Sequence, residues 1–225
     1  MTQTLETIEL ETGPNPTAAV IWMHGLGADG NDFVPIVNEL DLSGAPTIRF
    51  VFPHAPKIPV TINNGYVMRA WYDVAFGDLE GTTKRADEKG VRQSQAQIGA
   101  LIARENSRNI PFKNIVLAGF SQGGAISLQT GLRYPEALAG VMALSCYLPC
   151  ADSFTLEAAP ANAKTPLLIA HGTQDPVVPY AMGTHSRDTL TKAGYRVEWR
   201  EYPMPHSVCL EEVRDIGAWL RSVLK

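Results

Sequence analysis

The fold of this chain is decided by one stretch of sequence, Ile115-Val116-Leu117-Ala118-Gly119-Phe120-Ser121-Gln122-Gly123-Gly124-Ala125-Ile126. A short apolar run typical of a β-strand ends at Gly119, and a segment compatible with a helix begins just after Ser121. Residues 119–123 read Gly-x-Ser-x-Gly, the nucleophile-elbow pattern, in which a strand turns sharply into a helix. The strand before the pattern and the helix after it make the signal far more specific than its five letters.

The geometry of such a turn explains its glycines. The central residue takes a strained conformation with positive φ, and a Cβ at either flanking glycine would collide with the strand or the helix. We therefore expect the hydroxyl of Ser121 to lie at the carboxyl end of a sheet, beside the positive end of the new helix.

Length and composition are those of one globular domain. The chain has 225 residues, 45% of them apolar and 19% charged, so a single domain over residues 1–225 can bury a sizeable core. The formal net charge of −4 argues against a nucleic-acid partner, which would need a basic face.

The cysteines, the first residues and the longest uncharged run indicate in which cellular compartment the protein is expected. The three cysteines (Cys146, Cys150 and Cys209) cannot form a disulfide framework, and their odd number favours free, buried thiols in a reducing compartment. The first residues lack the basic start and apolar core of a signal peptide. The longest uncharged run, residues 137–151, is too short to span a membrane. We expect a cytoplasmic protein without stable membrane insertion.

Segments of strand and helix character alternate along the chain. The predicted strands cover residues 5–11, 18–23, 47–52, 115–119, 138–145, 165–170 and 195–202, and the predicted helices cover residues 31–40, 87–108, 122–134, 181–193 and 211–224. The first strand alternates apolar and polar residues, which indicates a sheet edge, whereas the run 18–23 is apolar throughout. This order predicts an α/β fold with a mainly parallel sheet and helices on both faces.

Residues 57–82 show no regular period. We interpret them as an irregular excursion or short hairpin near the active face, with Trp71, Tyr72 and Phe76 as candidates to line a substrate site. A loop that packs on its own aromatic side chains is the alternative, and the sequence leaves both open.

A serine hydroxyl is a poor nucleophile until a base removes its proton, so an elbow serine needs a histidine. Three histidines follow Ser121 in the chain. His206 comes directly after the last predicted strand, where a base would overhang the site. His171 ends its strand and is expected to pack structurally, and His185 lies in an exposed-looking helix. We assign the base to His206, with an ordinary loop histidine as the alternative.

The base in turn needs an orienting carboxylate on a loop that follows a later strand. Asp175 follows the strand 165–170 by a few residues, and Pro176 fixes the chain after it. Its rival, Asp152, lies in what we predict to be a polar loop after the strand 138–145. A helix cap or a turn carboxylate is the alternative role for either residue. Asp175 is favoured by its position.

The oxyanion of a tetrahedral intermediate needs hydrogen-bond donors. One should be the backbone N–H of Gln122, and the other should come from the glycine-rich loop 24–30, with Leu26 the candidate. Such a loop alone would more often be a simple tight turn. We find neither a phosphate-binding loop nor a cluster with metal-ligand spacing, so we predict no cofactor and no metal.

Six segments together resemble the small carboxylesterase/acyl-protein thioesterase family of α/β-hydrolases. They are His24-Gly-Leu-Gly, Pro53-His-Ala-Pro, Trp71-Tyr-Asp, Gly119-Phe-Ser-Gln-Gly-Gly, His171-Gly-Thr-Gln-Asp-Pro-Val-Val-Pro and Pro205-His-Ser. The resemblance implies a serine esterase with Ser121 as nucleophile, Asp175 as acid, His206 as base, and Leu26 and Gln122 as oxyanion donors. It also implies a possible homodimer.

The function predicted from these arguments is that of a cofactor-free serine carboxylesterase. Its substrates would be small-molecule esters with short- to medium-chain acyl groups, cleaved through an acyl-enzyme. The alternatives within the class are an acyl-protein thioesterase and a lysophospholipase. A peptidase is disfavoured because 225 residues leave no room for a large cap domain. A non-catalytic binding protein is disfavoured by the intact Ser, His and Asp set.

Overall fold

The computed structural model describes residues 5–75 and 87–225. Its strands are β1 (Thr7–Glu11), β2 (Ala18–Met23), β3 (Ile48–Pro53), β4 (Lys57–Val60), β5 (Tyr66–Arg69), β6 (Ile115–Phe120), β7 (Gly140–Leu144), β8 (Leu167–Gly172) and β9 (Val197–Tyr202). Its α-helices are α1 (Glu88–Ser107), α2 (Gln122–Gly131), α3 (Ala151–Glu157), α4 (Tyr180–Lys192) and α5 (Leu210–Val223). Short 3₁₀ helices cover Val34–Glu39, Thr61–Asn63, Phe112–Asn114 and Pro160–Asn162.

The main sheet has seven strands in the order β1-β3-β2-β6-β7-β8-β9. Only β1 is antiparallel, and it forms an edge against β3, so the predicted mainly parallel sheet and its edge strand are confirmed. From β2 the chain first adds β3 on one side and then β6 on the other. Ligands of open α/β sheets bind outside the carboxyl ends of the strands at such a reversal of strand order. The loops that follow β2 and β6 meet at this point.

Both faces of the sheet are covered, and β2 shows how. Its alternate residues Ala18, Val20 and Trp22 pack into an apolar cluster that includes residues of α5 and of the 3₁₀ helix Val34–Glu39. The residues between them pack into a second cluster with α1 and α2. A strand covered on both faces must be apolar throughout, which explains the sequence of β2.

A third cluster lies beneath β7 and β8, where side chains of α2, α3 and α4 pack together. Cys146 is buried in it, as predicted, and burial raises the pKa of its thiol above the usual value. Cys150 and Cys209 are only half-buried, and all three cysteines are free. No helix within the described residues is both long enough and apolar enough to cross a membrane.

The helix predicted over residues 31–40 is shorter and of a different type than expected. The structure has a 3₁₀ helix over Val34–Glu39 instead, preceded by turns in which an N–H bonds the carbonyl three residues earlier. An α-helix that began at Asn31 would place Pro35 beyond the first turn, where it has no N–H to donate to the carbonyl four residues earlier. Its neighbours Val34, Ile36 and Val37 are β-branched. These residues disfavour an α-helix.

The structure also answers two expectations about loops, that around Asp152 and that for the segment 57–82. Asp152 lies in the first turn of the helix α3, not in a polar loop, and its side chain is exposed. The helix escapes pattern reading because it has only seven residues and buries only Phe154. In the segment 57–82, the strands β4 and β5 pair as an antiparallel hairpin, so the hairpin interpretation is confirmed for that part.

Candidate active site

Ser121 lies between the end of β6 and the first residue of α2. Its backbone has φ 55° and ψ −121°, the strained positive-φ conformation that the elbow pattern predicts. The N–H of Ser121 donates to the carbonyl of Leu144 at the end of β7, with an N···O distance of 2.8 Å. The neighbouring strand therefore fixes the strained residue.

Close backbone contacts explain two glycines of the elbow. A Cβ on Gly119 would overlap the backbone of Gly123 well inside contact distance. A Cβ on Gly123 would overlap the carbonyl oxygen of Met23 and would lie 2.6 Å from that of His24. The first turn of α2 thus packs directly on the chain that leaves β2. Any side chain at position 123 would push the two loops apart.

Asp175 and His206 are joined by a hydrogen bond, with 2.6 Å between His206 Nδ1 and Asp175 Oδ2. The carboxyl group of Asp175 is buried, and its Oδ1 accepts from the backbone N–H groups of Val177 at 2.8 Å and Val178 at 2.9 Å. Both carboxyl oxygens therefore have partners. A carboxylate can only accept a bond from the imidazole, so Nδ1 carries the proton and Nε2 is left free as a base.

The ring of His206 lies against the ring of Phe120, the residue before Ser121, with 4.6 Å between ring centroids and a tilt of 43° between the ring planes. The last loop thus brings the imidazole over the elbow. Within the described part of the chain, no side chain makes a hydrogen bond with the hydroxyl of Ser121. Catalytic hydrogen bonds are often long in unliganded enzymes and tighten only when substrate binds.

The two other downstream histidines lie as predicted. His171 is fully buried, its Nε2 donates to the carbonyl of Val178 at 2.9 Å, and burial lowers its pKa. Its Nε2 is 3.5 Å from Asp175 Oδ2, so the ring supports the loop that carries the carboxylate. His185 is exposed on α4.

Two backbone N–H groups beside Ser121 have no hydrogen-bond partner among the residues that the structure describes. One belongs to Leu26, in the loop after β2, and the other to Gln122, the first residue of α2. In the loop after β2, the next N–H, that of Gly27, already donates to Arg69 at 2.9 Å. Leu26, Gln122 and Ser121 line one cavity. Two free donors that line the same cavity as a hydroxyl can hold a developing oxyanion.

That cavity has a volume of about 210 Å³ and is mostly apolar. Its lining residues are Leu26, Ile62, Asn63, Tyr72, Val74, Ser121, Gln122, Tyr147, Val177 and Val178. Sequence reasoning missed Tyr147 and the pair Val177 and Val178, although the pair directly follows Asp175-Pro176 in the chain.

The three aromatic residues predicted to line a substrate site have different outcomes. Tyr72 lines the cavity, and its hydroxyl lies 2.8 Å from that of Tyr147. Trp71 is only 2% exposed and lies outside the lining, with its indole N–H bonded to the carbonyl of His24. Phe76 lies outside the described residues.

Comparison with known proteins identifies the family. The model of the phospholipase/carboxylesterase family matches residues 6–224. The chain belongs to this family. Membership in the phospholipase/carboxylesterase family confirms the resemblance inferred from the sequence and the predicted class of enzyme, a serine hydrolase of carboxylic esters. The names of the relatives extend this class to thioesters.

Relatives within the family carry more specific names. The chain is 43% identical to acyl-protein thioesterase 1 of Neurospora crassa over 91% of this chain and 86% of the relative. It is 36% identical to acyl-protein thioesterase 1 of Cryptococcus neoformans, with both chains covered in full. The crystal structure of Zea mays acyl-protein thioesterase 2 has a TM-score of 0.85 at 30% identity, covering 98% of this chain and 99% of the other. These names support the thioesterase alternative better than the carboxylesterase reading.

Proposed function

We propose that this protein is an acyl-protein thioesterase that hydrolyses the thioester of an apolar acyl group through Ser121, His206 and Asp175. One observation supports the proposal above all. Ser121 shares an apolar cavity with the N–H groups of Leu26 and Gln122, which have no hydrogen-bond partner within residues 5–75 and 87–225. The ring of His206, which is bonded to Asp175, lies against the ring of Phe120.

In this mechanism, Nε2 of His206 takes the proton of Ser121 as the hydroxyl oxygen attacks the carbonyl carbon of the acyl group. The carbonyl oxygen becomes an oxyanion that accepts from the N–H groups of Leu26 and Gln122. His206 then gives its proton to the leaving sulfur, and the acyl group remains on Ser121. A water molecule, deprotonated by His206, hydrolyses this acyl-enzyme, and the acid leaves. Asp175 holds the imidazole and stabilises its charged form.

The chemistry of the cavity supports an apolar acyl group. Ile62, Val74, Val177 and Val178 contribute aliphatic side chains, and no charged side chain of the described residues lines it. At about 210 Å³ it is smaller than the ~300–1,000 Å³ of most ligand pockets. A single acyl chain suits such a volume better than a branched or bulky group. The free cysteines are typical of a protein in the reducing cytoplasm, where we expect it to meet proteins that carry an acyl group on a cysteine.

The carboxylesterase reading differs from this proposal only in the leaving group. An ester and a thioester of the same acid give the same acyl-enzyme on Ser121, so the second half of the reaction is common to both. The names of the relatives favour the thioester.

Matched substrates test the proposal. Two versions of one peptide, acylated on the sulfur of a cysteine or on the oxygen of a serine, are compared at acyl lengths from two to sixteen carbons. We expect faster turnover of the thioester, loss of at least about 10³-fold in kcat for Ser121→Ala, and labelling of Ser121 by a fluorophosphonate probe. Ser43→Ala, which changes an exposed loop serine, is the control and should leave kcat unchanged.

Three results would contradict the proposal. Turnover of the ester alone would make the protein a carboxylesterase. Undiminished turnover in Ser121→Ala would remove the proposed nucleophile. No turnover of any substrate by the wild type, together with no probe labelling, would indicate a binding protein.

A further inference from the structure

The segment Trp71–Tyr72 is held between the two proposed oxyanion donors by hydrogen bonds that the mechanism above does not use. The side chain of Gln122 makes two of them. Its Oε1 accepts from the backbone N–H of Trp71 at 2.8 Å, and its Nε2 donates to the carbonyl of Tyr72 at 2.7 Å. Gln122 is 4% exposed, so these bonds are shielded from water. Its amide thus clamps the segment from the side of the elbow.

The indole of Trp71 makes the bond to the other loop. Its Nε1–H donates to the carbonyl oxygen of His24 at 2.8 Å, two residues before Leu26. The hydroxyl of Ser94 on α1 donates to the carbonyl of Trp71. All three polar groups of Trp71 are therefore bonded, each to a different element. One residue links α1, the start of α2 and the loop after β2.

His24 is itself fixed from the opposite side. Its Nε2 accepts from the N–H of Ala55 at 3.1 Å, and its Nδ1 lies 2.7 Å from the carbonyl oxygen of Gly25. An N–H donor on Nε2 requires the neutral ring with its proton on Nδ1. The backbone of His24 therefore has few ways to move while the Trp71 bond is present. If the indole N–H of Trp71 is removed, the buried carbonyl of His24 loses that hydrogen-bond donor.

We propose that Trp71 and the side chain of Gln122 are positioning residues that hold the N–H groups of Leu26 and Gln122 at the separation that a tetrahedral oxyanion requires. The inference rests on the proposed function, because it concerns the same oxyanion. Preorganised donors stabilise charge in the transition state because they need no rearrangement as the charge forms. Two donors on separate loops need a rigid link between the loops, and Trp71 with Gln122 provides it.

This role differs from the lining role that the sequence predicts for Trp71. A lining residue contacts the acyl chain and changes KM and chain-length preference when it is replaced. A positioning residue outside the cavity acts in the transition state and lowers kcat with little change in KM. The two roles are therefore separable by kinetics.

The test compares two variants. Trp71→Phe removes the indole N–H that bonds the carbonyl of His24, and Trp22→Phe is the control. Trp22 is a matched control because it is also buried, lies on β2 just before His24, and its indole Nε1 has no partner among the described residues. We expect Trp71→Phe to lower kcat by about 10- to 100-fold with KM changed by less than about twofold. Trp22→Phe should keep kcat within about threefold of wild type, since it breaks no hydrogen bond to any described residue.

A trifluoromethyl ketone that carries the same acyl chain gives a second readout. Ser121 adds to this ketone to form a tetrahedral adduct with an oxyanion, so its Ki reports oxyanion stabilisation directly. In Trp71→Phe the Ki should rise by the same factor as kcat/KM falls. The Ki of the corresponding neutral alcohol should not change. Gln122→Met, which keeps the shape of the side chain and loses both bonds, should behave as Trp71→Phe does.

The outcomes separate the inference from the proposed function. Equal losses in Trp71→Phe and Trp22→Phe, or a loss confined to KM, would overturn the positioning role while Ser121-dependent turnover remains. Undiminished turnover in Ser121→Ala would overturn the proposed function itself. Circular dichroism and melting curves verify folding, and if Trp71→Phe does not fold, the Ki series on Gln122→Met decides the matter in the same way.

Discussion

Glu212 provides the sharpest test of the energetics of this fold. Its side chain lies in the first turn of α5, is 1% exposed, and has no hydrogen-bond partner of good geometry for either oxygen among the described residues. Burial raises the pKa of this carboxyl to about 8, Asp215 adds to the rise, and the N–H of Cys209 partly opposes it. Tyr202 on β9 also faces the group, and its hydroxyl donates to Asp215 at 2.7 Å.

The magnitude follows from the linkage between protonation and folding. A folded pKa of about 8, against 4.5 when unfolded, means that the folded chain holds the proton more tightly. The contribution of Glu212 to stability is fully present below pH 4.5 and is lost as the pH rises through 8. At about 1.4 kcal/mol for each unit of pKa difference, about 3 kcal/mol is lost by pH 7 and about 5 kcal/mol above pH 8.

We therefore expect Glu212→Gln to stabilise the protein in a pH-dependent way, because the amide is always neutral and has nearly the shape of the protonated carboxyl. The gain over wild type should be close to zero at pH 4.5 and grow to about 3 kcal/mol at pH 7. Urea unfolding followed by tryptophan fluorescence between pH 4.5 and 9 measures it.

Glu211→Gln is the matched control for this experiment. Glu211 is exposed on the same turn, and the control makes the same change of a carboxyl to an amide at an exposed position. Its free energy of unfolding should run parallel to that of wild type within about 0.5 kcal/mol. If the difference between Glu212→Gln and wild type stays constant from pH 4.5 to 9, Glu212 is ionised in the folded protein and the reasoning from burial is wrong.

Two further predictions concern the loops that meet at the site. Burial lowers the pKa of His24 from 6.5 to about 4, so its contribution to stability is complete above pH 6.5 and is lost as the pH falls through 4, by about 3 kcal/mol in all. His24→Gln should be less stable than wild type at pH 7, and urea unfolding should show that this difference in free energy of unfolding falls by about 3 kcal/mol between pH 7 and pH 4. A difference that does not change with pH would contradict the prediction. Gly123→Ala should cost about 1–3 kcal/mol and lower kcat, since the new Cβ meets backbone carbonyls. Gly99→Ala should instead raise the melting temperature, because Gly99 lies in a helix and its new Cβ would make only an ordinary contact at 3.8 Å.

The arrangement of the site was largely predictable because it follows from strand order. Asp175 and His206 are 31 residues apart in sequence, yet each follows a strand of the same parallel sheet. The carboxyl ends of parallel strands meet at one edge, so residues just after β8 and β9 had to lie close together. The same reasoning brings Leu26, which follows β2, to Ser121, which follows β6.

What the sequence could not provide were interactions that leave no periodic pattern. The segment 31–40 has a helical length, but Pro35 and β-branched neighbours turned it into a 3₁₀ helix. Trp71 is aromatic and lies in a predicted lining segment, but its bonds to Gln122 and His24 hold it outside the cavity lining. Those bonds link residues 47 to 51 positions apart, and composition or spacing carries no signal for them.

The strain at the elbow is sustained by the sheet itself. Ser121 and Ser145 both have positive φ, 55° and 47°, and they stand just past the ends of the adjacent strands β6 and β7. Each donates its N–H across to the next strand, Ser121 to Leu144 and Ser145 to Ala170, both at 2.8 Å. Such conformations cost about 1–3 kcal/mol each and persist only where the surroundings over-determine them. The two bonds continue the ladder of hydrogen bonds past the ends of the strands. A change of Ser121 to a relaxed conformation would therefore break the hydrogen bonding at the carboxyl end of the sheet. The hydroxyl is thus held in place before any substrate arrives.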